Sequence, residues 1–273
     1  MLPLDLFEMV YFPRYQEQLN ALEEMALPEP WRFVDDTNLR QNVRNPVLSN
    51  HLRLTFRRIS SAYNTADVNG WLDDMKKLCY WTSDVLCFHT GLFTVQYNAI
   101  YALISRSHNA RLPNEWVFRG FLDEGSYHLM NISPLPQRLQ APRASGNYAF
   151  FADWPLRINI RHMLEDEKNY ARIPEKLRNF PNLRLLLEAG VNMARKQAMV
   201  APGRVVPHLY HAGLQYLLPI CLEDSDRVDL VMTLSRGDGF YLGNTCLTPQ
   251  MAYSNARLLG RPTVPWLTKL VIP

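Results

Sequence analysis

Leu19, Leu22 and Met25 fall on one face of a helix over residues 14–26, which Pro28 and Pro30 end. The spacing of Leu48, Leu52, Phe56 and Ile59 predicts a second helix over 47–63, with Arg53, Arg57 and Arg58 off its apolar stripe. The polar run at 34–45 reads as irregular, 64–70 as a loop, and 71–80 as a short helix or turn. Strand patterns follow at 84–89 and 97–105, around a turn at Thr90-Gly91, and again at 116–122. Residues 131–147 carry three prolines with Ser, Gly and Asn and read as loop. Strand-like sequence resumes at Tyr148 and at 156–161. Pro181 suits the first position of a helix over 181–199, whose stripe is Leu183, Leu186, Leu187, Val191, Ala194 and Ala198. Core strands are expected at 213–222, 228–234 and 239–247, with turns at 224–227 and 237–239. Thr248-Pro249, a hydroxyl cap followed by proline, starts a last helix that ends before Gly260. Long helices mixed with hairpin-linked strands predict an α+β fold. The expectation is a single domain over 31–273, with a mixed, largely antiparallel sheet flanked by helices, behind an N-terminal helical extension over 1–30.

Composition narrows the class more than the chemistry. The 273 residues are 47% hydrophobic and 20% charged, enough for a sizeable core. Net charge is only +3, from 29 basic and 26 acidic residues, so any anion-binding surface must come from clustering. Cys79, Cys87, Cys221 and Cys246 show no C-x-x-C spacing and read as reduced thiols, most of them in apolar runs. Asp5 and Glu8 interrupt the N-terminal apolar residues, which argues against a secretory signal. No run approaches the roughly 20 apolar residues of a membrane span. A soluble, cytoplasmic protein with no membrane partner is the expectation.

Four constellations combine polar and aromatic groups. On the last helix Tyr253 and Arg257 lie one turn apart, with Asn255 on a neighbouring face. A guanidinium there suits phosphate or carboxylate, and equally a structural carboxylate. In the extended run Pro207-His208-Leu209-Tyr210-His211, His208 and Tyr210 share one face and His211 takes the other. These rings offer stacking to a base or sugar, or acid–base chemistry near neutral pH. At Cys87-Phe88-His89-Thr90-Gly91-Leu92 a strand ends, and Gly91 permits close approach of the backbone to a ligand, or simply a turn. In 158–164, strand alternation puts Ile158, Ile160 and His162 on one face, making His162 a half-buried core histidine or a site residue. Walker, dinucleotide, H-E-x-x-H and G-x-S-x-G motifs are absent. No cofactor is indicated, and nothing fixes the oligomeric state.

The runs CFHTGL, INIRHML followed by ARIP, VPHLYHAGLQYLLPICL and YLGNTCLTPQMAYSNARLLGRPTVPWL resemble the bacterial domain of unknown function 3825, over residues 30–270. In that family the first motif usually reads F-N-T-G-L, where this chain has His89 for the asparagine. The middle motif often reads P-Q-Y-Y, where this chain has Pro207-His208-Leu209-Tyr210. Thr90, Gly91, Leu92, Tyr210, Gln215, Tyr253, Asn255 and Arg257 match the pattern. The resemblance implies no assigned activity. It implies a link to RNA, in conflict or RNA-quality systems, because similar domains are fused to small RNA-binding modules of cold-shock-like and OST/LOTUS type. The first expectation is therefore an RNA- or nucleotide-binding domain. Arg257 would hold phosphate, Tyr210 and Tyr253 would hold base or sugar, the arginines of the 47–63 helix would add charge, and His89, Thr90, Gly91, Gln215 and Asn255 would complete the ligand surface. The second is a hydrolase of RNA or nucleotides using His162, His208 and His211. The third is a scaffold in which these residues are core.

Overall fold

In the computed structural model the strands gather into two five-stranded mixed sheets, where the sequence pattern led us to expect one. Residues 2–32, 43–69, 77–139, 149–210 and 213–268 are described. The chain forms two units, Met1–Gln140 and Ala141–Pro273, which divide inside the proline-containing run at 131–147. The α+β class holds in both. Expectations over 34–42, 71–76 and 140–148 lie outside the described residues, as does His211.

The first unit contains helices α1 (Leu6–Met9), α2 (Tyr15–Met25) and α3 (Pro46–Asn69) and strands β1 (Val10–Tyr11), β2 (Cys79–Trp81), β3 (Val85–Phe93), β4 (Ala99–Arg106) and β5 (Trp116–Asp123). Strand order is β1-β5-β4-β3-β2, with β1 parallel to β5 and the other pairs antiparallel. The α3 stripe is as expected: Leu48, Leu52, Phe56 and Ile59 are buried, and the Phe56 ring meets Phe88 of β3 at 5.5 Å. The helix does not stop at 63. It runs on through the expected loop because its extra turns are anchored: Asn64 exchanges hydrogen bonds with the Leu2 backbone, and Tyr63 packs edge-on against Trp81. Two pairing partners override weak local propensity. Likewise β3 passes through Thr90-Gly91 as an irregularity between His89 and Phe93, not as a hairpin turn.

The second unit contains β6 (Leu156–Ile158), the short helices α4 (Ile160–Glu165), α5 (Glu167–Tyr170) and α6 (Glu175–Arg178), and the long α7 (Leu183–Val200). Strands β7 (Val206–Tyr210), β8 (Gly213–Ile220), β9 (Leu230–Arg236) and β10 (Tyr241–Leu247) follow, then α8 (Pro249–Ala256) and α9 (Pro265–Thr268). Strand order is β6-β10-β9-β8-β7, antiparallel except for β6 beside β10. The α7 stripe and α4 cover one face, where Leu187, Val191, Tyr216, Leu218, Met232, Leu234 and Tyr241 form the core. Gly190 sits close to the sheet: a Cβ would lie 2.6 Å from a Leu222 methyl and 3.1 Å from Ile220, so those side chains would have to shift. Pro219 is tolerated within β8 because β7 pairs with that strand only as far as Leu217. Residues 156–161 are not one strand. β6 ends at Ile158, and the Asn159 side chain accepts from the His162 N–H and caps α4. Among the described residues no helix is long and apolar enough to cross a membrane.

Candidate functional site

The face of the second sheet turned away from α7 is chemically unlike the first. Strand alternation places Leu217, Val231 and Leu247 there, all buried, and α8 packs over β7, β9 and β10 on that side. Thr248 caps α8 by accepting from the Met251 N–H at 3.2 Å, and Pro249 occupies the first turn, as expected. Beyond the inner apolar rows, the register produces a row across all five strands that is polar on four of them. His208 pairs with Gln215, Gln215 with Ser235, Ser235 with Leu242, and Leu242 with Arg157. Four interstrand spacings make this row roughly 19 Å long. Gln215 Nε2 donates to Ser235 Oγ at 2.9 Å. Exposure climbs along it, from His208 at 0% through half-buried Gln215 and Ser235 to Leu242 at 40% and exposed Arg157. Tyr210, one step further out on β7 from His208, is 56% exposed at the rim.

The sequence candidates of this unit therefore reach one side of one sheet, but not one depth. Tyr253 and Arg257 are buried at 2% and 6%, Asn255 is half-buried, and Arg257 follows the last turn of α8 with its N–H donating to the Tyr253 carbonyl. Neither Tyr253 nor Arg257 is without partners. His208 differs. No hydrogen bond of normal geometry reaches either ring nitrogen among the described residues, and the buried Ser254 Oγ of α8 is similarly unpartnered. Burial pushes the His208 pKa down to about 4, and the Leu209 backbone, which favours the charged form, offsets little of this. The imidazole is neutral at physiological pH.

His162 lies elsewhere. The sequence pattern makes it a half-buried member of a strand face; in the structure it is an exposed residue of α4, because the chain turns helical at Ile160. Since Ile160 and Met163 of α4 belong to the α7-side core, His162 and His208 are on opposite faces of the sheet. They cannot act together on one bound group.

His89, Thr90 and Gly91 belong to the first unit, where they fasten the irregularity in β3. Thr90 Oγ donates to the Ile100 carbonyl at 2.7 Å and accepts from the Leu92 N–H at 3.2 Å. His89 Nδ1 accepts from the Gly91 N–H at 2.8 Å, the position an asparagine oxygen takes in an Asx turn. Histidine thus serves here as a local acceptor for the backbone of the irregularity. Burial, helped by the Arg138 charge, holds its pKa down at about 4, so the accepting nitrogen stays unprotonated. Gly91 has φ +80°, and a Cβ would sit 3.3 Å from His51 Nε2, which bonds the Thr90 carbonyl at 2.8 Å. Gly91→Ala is therefore expected to cost about 1–2 kcal/mol, read as a lower midpoint in urea for the first unit. An unchanged midpoint would mean that the loop relaxes freely. Two of the α3 arginines are also committed locally, since Arg53 and Arg57 lie 2.9 and 4.0 Å from Asp5.

Arg157, Ser235 and Leu242 were not evident from sequence. Each has an unremarkable strand position, and only the register shows that they align. A cleft of about 430 Å³ at the start of α8 holds Arg172 and Arg227, but Asp226 and Asp229 line it too, and Arg172 is bonded to the Cys246 carbonyl and Asn169. Among the described residues no group of three or more His, Cys, Asp or Glu could hold a metal ion. Cys79, Cys87 and Cys246 are buried free thiols and Cys221 is half-buried. A family model described as a domain of unknown function (DUF3825) matches residues 22–266. Comparison with curated proteins and with solved structures gave no match.

Proposed function

The chain belongs to the DUF3825 family, and from that premise we propose that it is an RNA- or nucleotide-binding domain whose ligand lies on the α8 side of the second sheet. The observation that carries this reading is the cross-strand row from His208 to Arg157 with Tyr210 at its rim. A sheet face serving only as core would be apolar along its length. Here the row offers an exposed aromatic ring, a hydrogen-bonded amide–hydroxyl pair and a guanidinium, the groups that stack on bases, read polar edges and hold phosphate. The burial of Tyr253 and Arg257 makes them supports beneath the surface. Direct contact then falls to Tyr210 and the outer row. No observation favours the hydrolase reading: the described histidine candidates lie on opposite faces, and His208 is deeply buried. A bacterial RNA-related or conflict system is the setting we propose, on the family resemblance alone.

Fluorescence anisotropy with labelled RNA oligomers and with labelled adenine nucleotides, across a salt series, tests the reading. Affinity is expected to fall linearly in log–log form with salt, as phosphate contacts release counterions. Tyr210→Ala is expected to weaken binding about tenfold through loss of one stacked base, with unchanged melting temperature because the ring is exposed. Absence of binding to every probe at low salt would end the proposal.

A further inference from the structure

We propose that the ligand of this surface is an unpaired strand, laid across the sheet between two stacking groups: Tyr210 at the β7 end and the Arg157–Phe240 stack at the β6 end. This rests on the RNA reading above and adds strandedness, site length and a second contact residue to it.

The Arg157 guanidinium carbon lies 4.1 Å from the centre of the Phe240 ring. That ring is itself braced, since a Cβ on Gly237 would come within 2.6 Å of it. The guanidinium thus lies over the ring at cation–π distance, and Arg157 is exposed to solvent. Arg157 makes no ion pair among the described residues, so its charge is not committed to a carboxylate. Between the two ends the row presents 40%-exposed Leu242, then the Ser235–Gln215 pair. An apolar contact flanked by hydrogen-bonding groups suits a sugar or base that has left a helix. Stacking groups about 20 Å apart, four strand spacings and a two-residue step, accept bases only when these are splayed from a duplex. The span matches the small end of sheet-based single-strand sites, about four nucleotides.

The molecule supplies its own control. Arg236 sits 4.9 Å above both Phe151 and Trp154, a stack of the same chemistry and charge. Its register partner is Tyr241, whose ring belongs to the core on the α7 side. Arg236 is therefore on the opposite face from Arg157, and a strand on the α8 side does not touch it.

The experiment is anisotropy of the full chain with a labelled RNA of about eight nucleotides, alone or annealed to its complement. Wild type, Arg157→Lys and Arg236→Ala are compared at one salt concentration, with thermal melts confirming that each is folded. We expect the single strand to bind about tenfold more tightly than the duplex, and Arg157→Lys, which keeps the charge but loses the plane, to weaken it about fivefold. Arg236→Ala should stay within about twofold of wild type. Equal or tighter duplex binding overturns the inference, as does wild-type affinity in Arg157→Lys or an equal loss in Arg236→Ala, which would mark generic charge attraction. Competition by polyglutamate as effective as by RNA would also overturn it, in favour of an acidic peptide partner. RNA binding that is intact without Arg157 sinks this inference alone, whereas no RNA binding by wild type sinks the functional reading with it.

Discussion

Acidification from pH 6.5 to 4 is expected to cost the second unit about 3 kcal/mol through His208 alone. The unfolded chain takes up a proton on this histidine near pH 6.5, whereas the native imidazole resists until about 4. Between those values the unfolded state binds more protons, so stability is complete above pH 6.5 and falls as pH drops through the window. The cause is burial: the ring is 0% exposed, and among the described residues no hydrogen bond of normal geometry reaches either nitrogen, the Leu209 backbone offsetting little of the shift. A group that offers its surroundings no hydrogen bond can be replaced by an apolar one of similar size at little cost. His208→Leu is therefore expected to match wild type at pH 7.5 in urea unfolding and to lose less stability than wild type at pH 4.5. A variant that is markedly less stable at pH 7.5 would mean that the imidazole makes a bond essential to the fold. His89 acts in the same direction in the first unit, so the comparison must be made against the His208 variant and not against theory.

Arg257→Ala is expected to destabilise the second unit by about 3 kcal/mol, a drop of about 10 °C in melting temperature, and to weaken RNA binding only in proportion to misfolding. Arg257 is 6% exposed just past the end of α8, and a charge at that depth persists only when partners compensate it. Removing it leaves those partners stranded beneath the proposed surface. Differential scanning calorimetry alongside the RNA titration separates the two roles. A variant with the wild-type melting temperature but no RNA affinity would return Arg257 to direct phosphate contact.

Residues 181–199 were readable because six apolar positions repeat at helical spacing, and α7 occupies Leu183–Val200. Thr248-Pro249 marked the start of α8 because cap chemistry is local. What was lost depended on distant partners. The continuation of α3 past residue 63 is secured by Leu2 and Trp81, neither of which is visible from the local pattern. Two sheets were read as one because hydrophobic alternation says that a residue is covered and not by what. The same holds for the site. Tyr253 and Arg257 stand one turn apart on any helix, but whether that face meets water or a sheet is a tertiary matter. The alignment of Arg157 with His208 requires four strand registers in succession. None of them follows from periodicity.

The strands at the margins of both sheets are short. β1 has two residues, β2 and β6 three each, and β7 five, against seven to nine in the strands between them. An open edge is a template on which a second chain can polymerise, and its danger grows with the length of unpaired backbone it displays. The longest of these margins carries Pro207, which has no N–H to offer, and another carries the charge of Arg157. Among the described residues, the four margin strands themselves thus offer little unpaired backbone to a second chain.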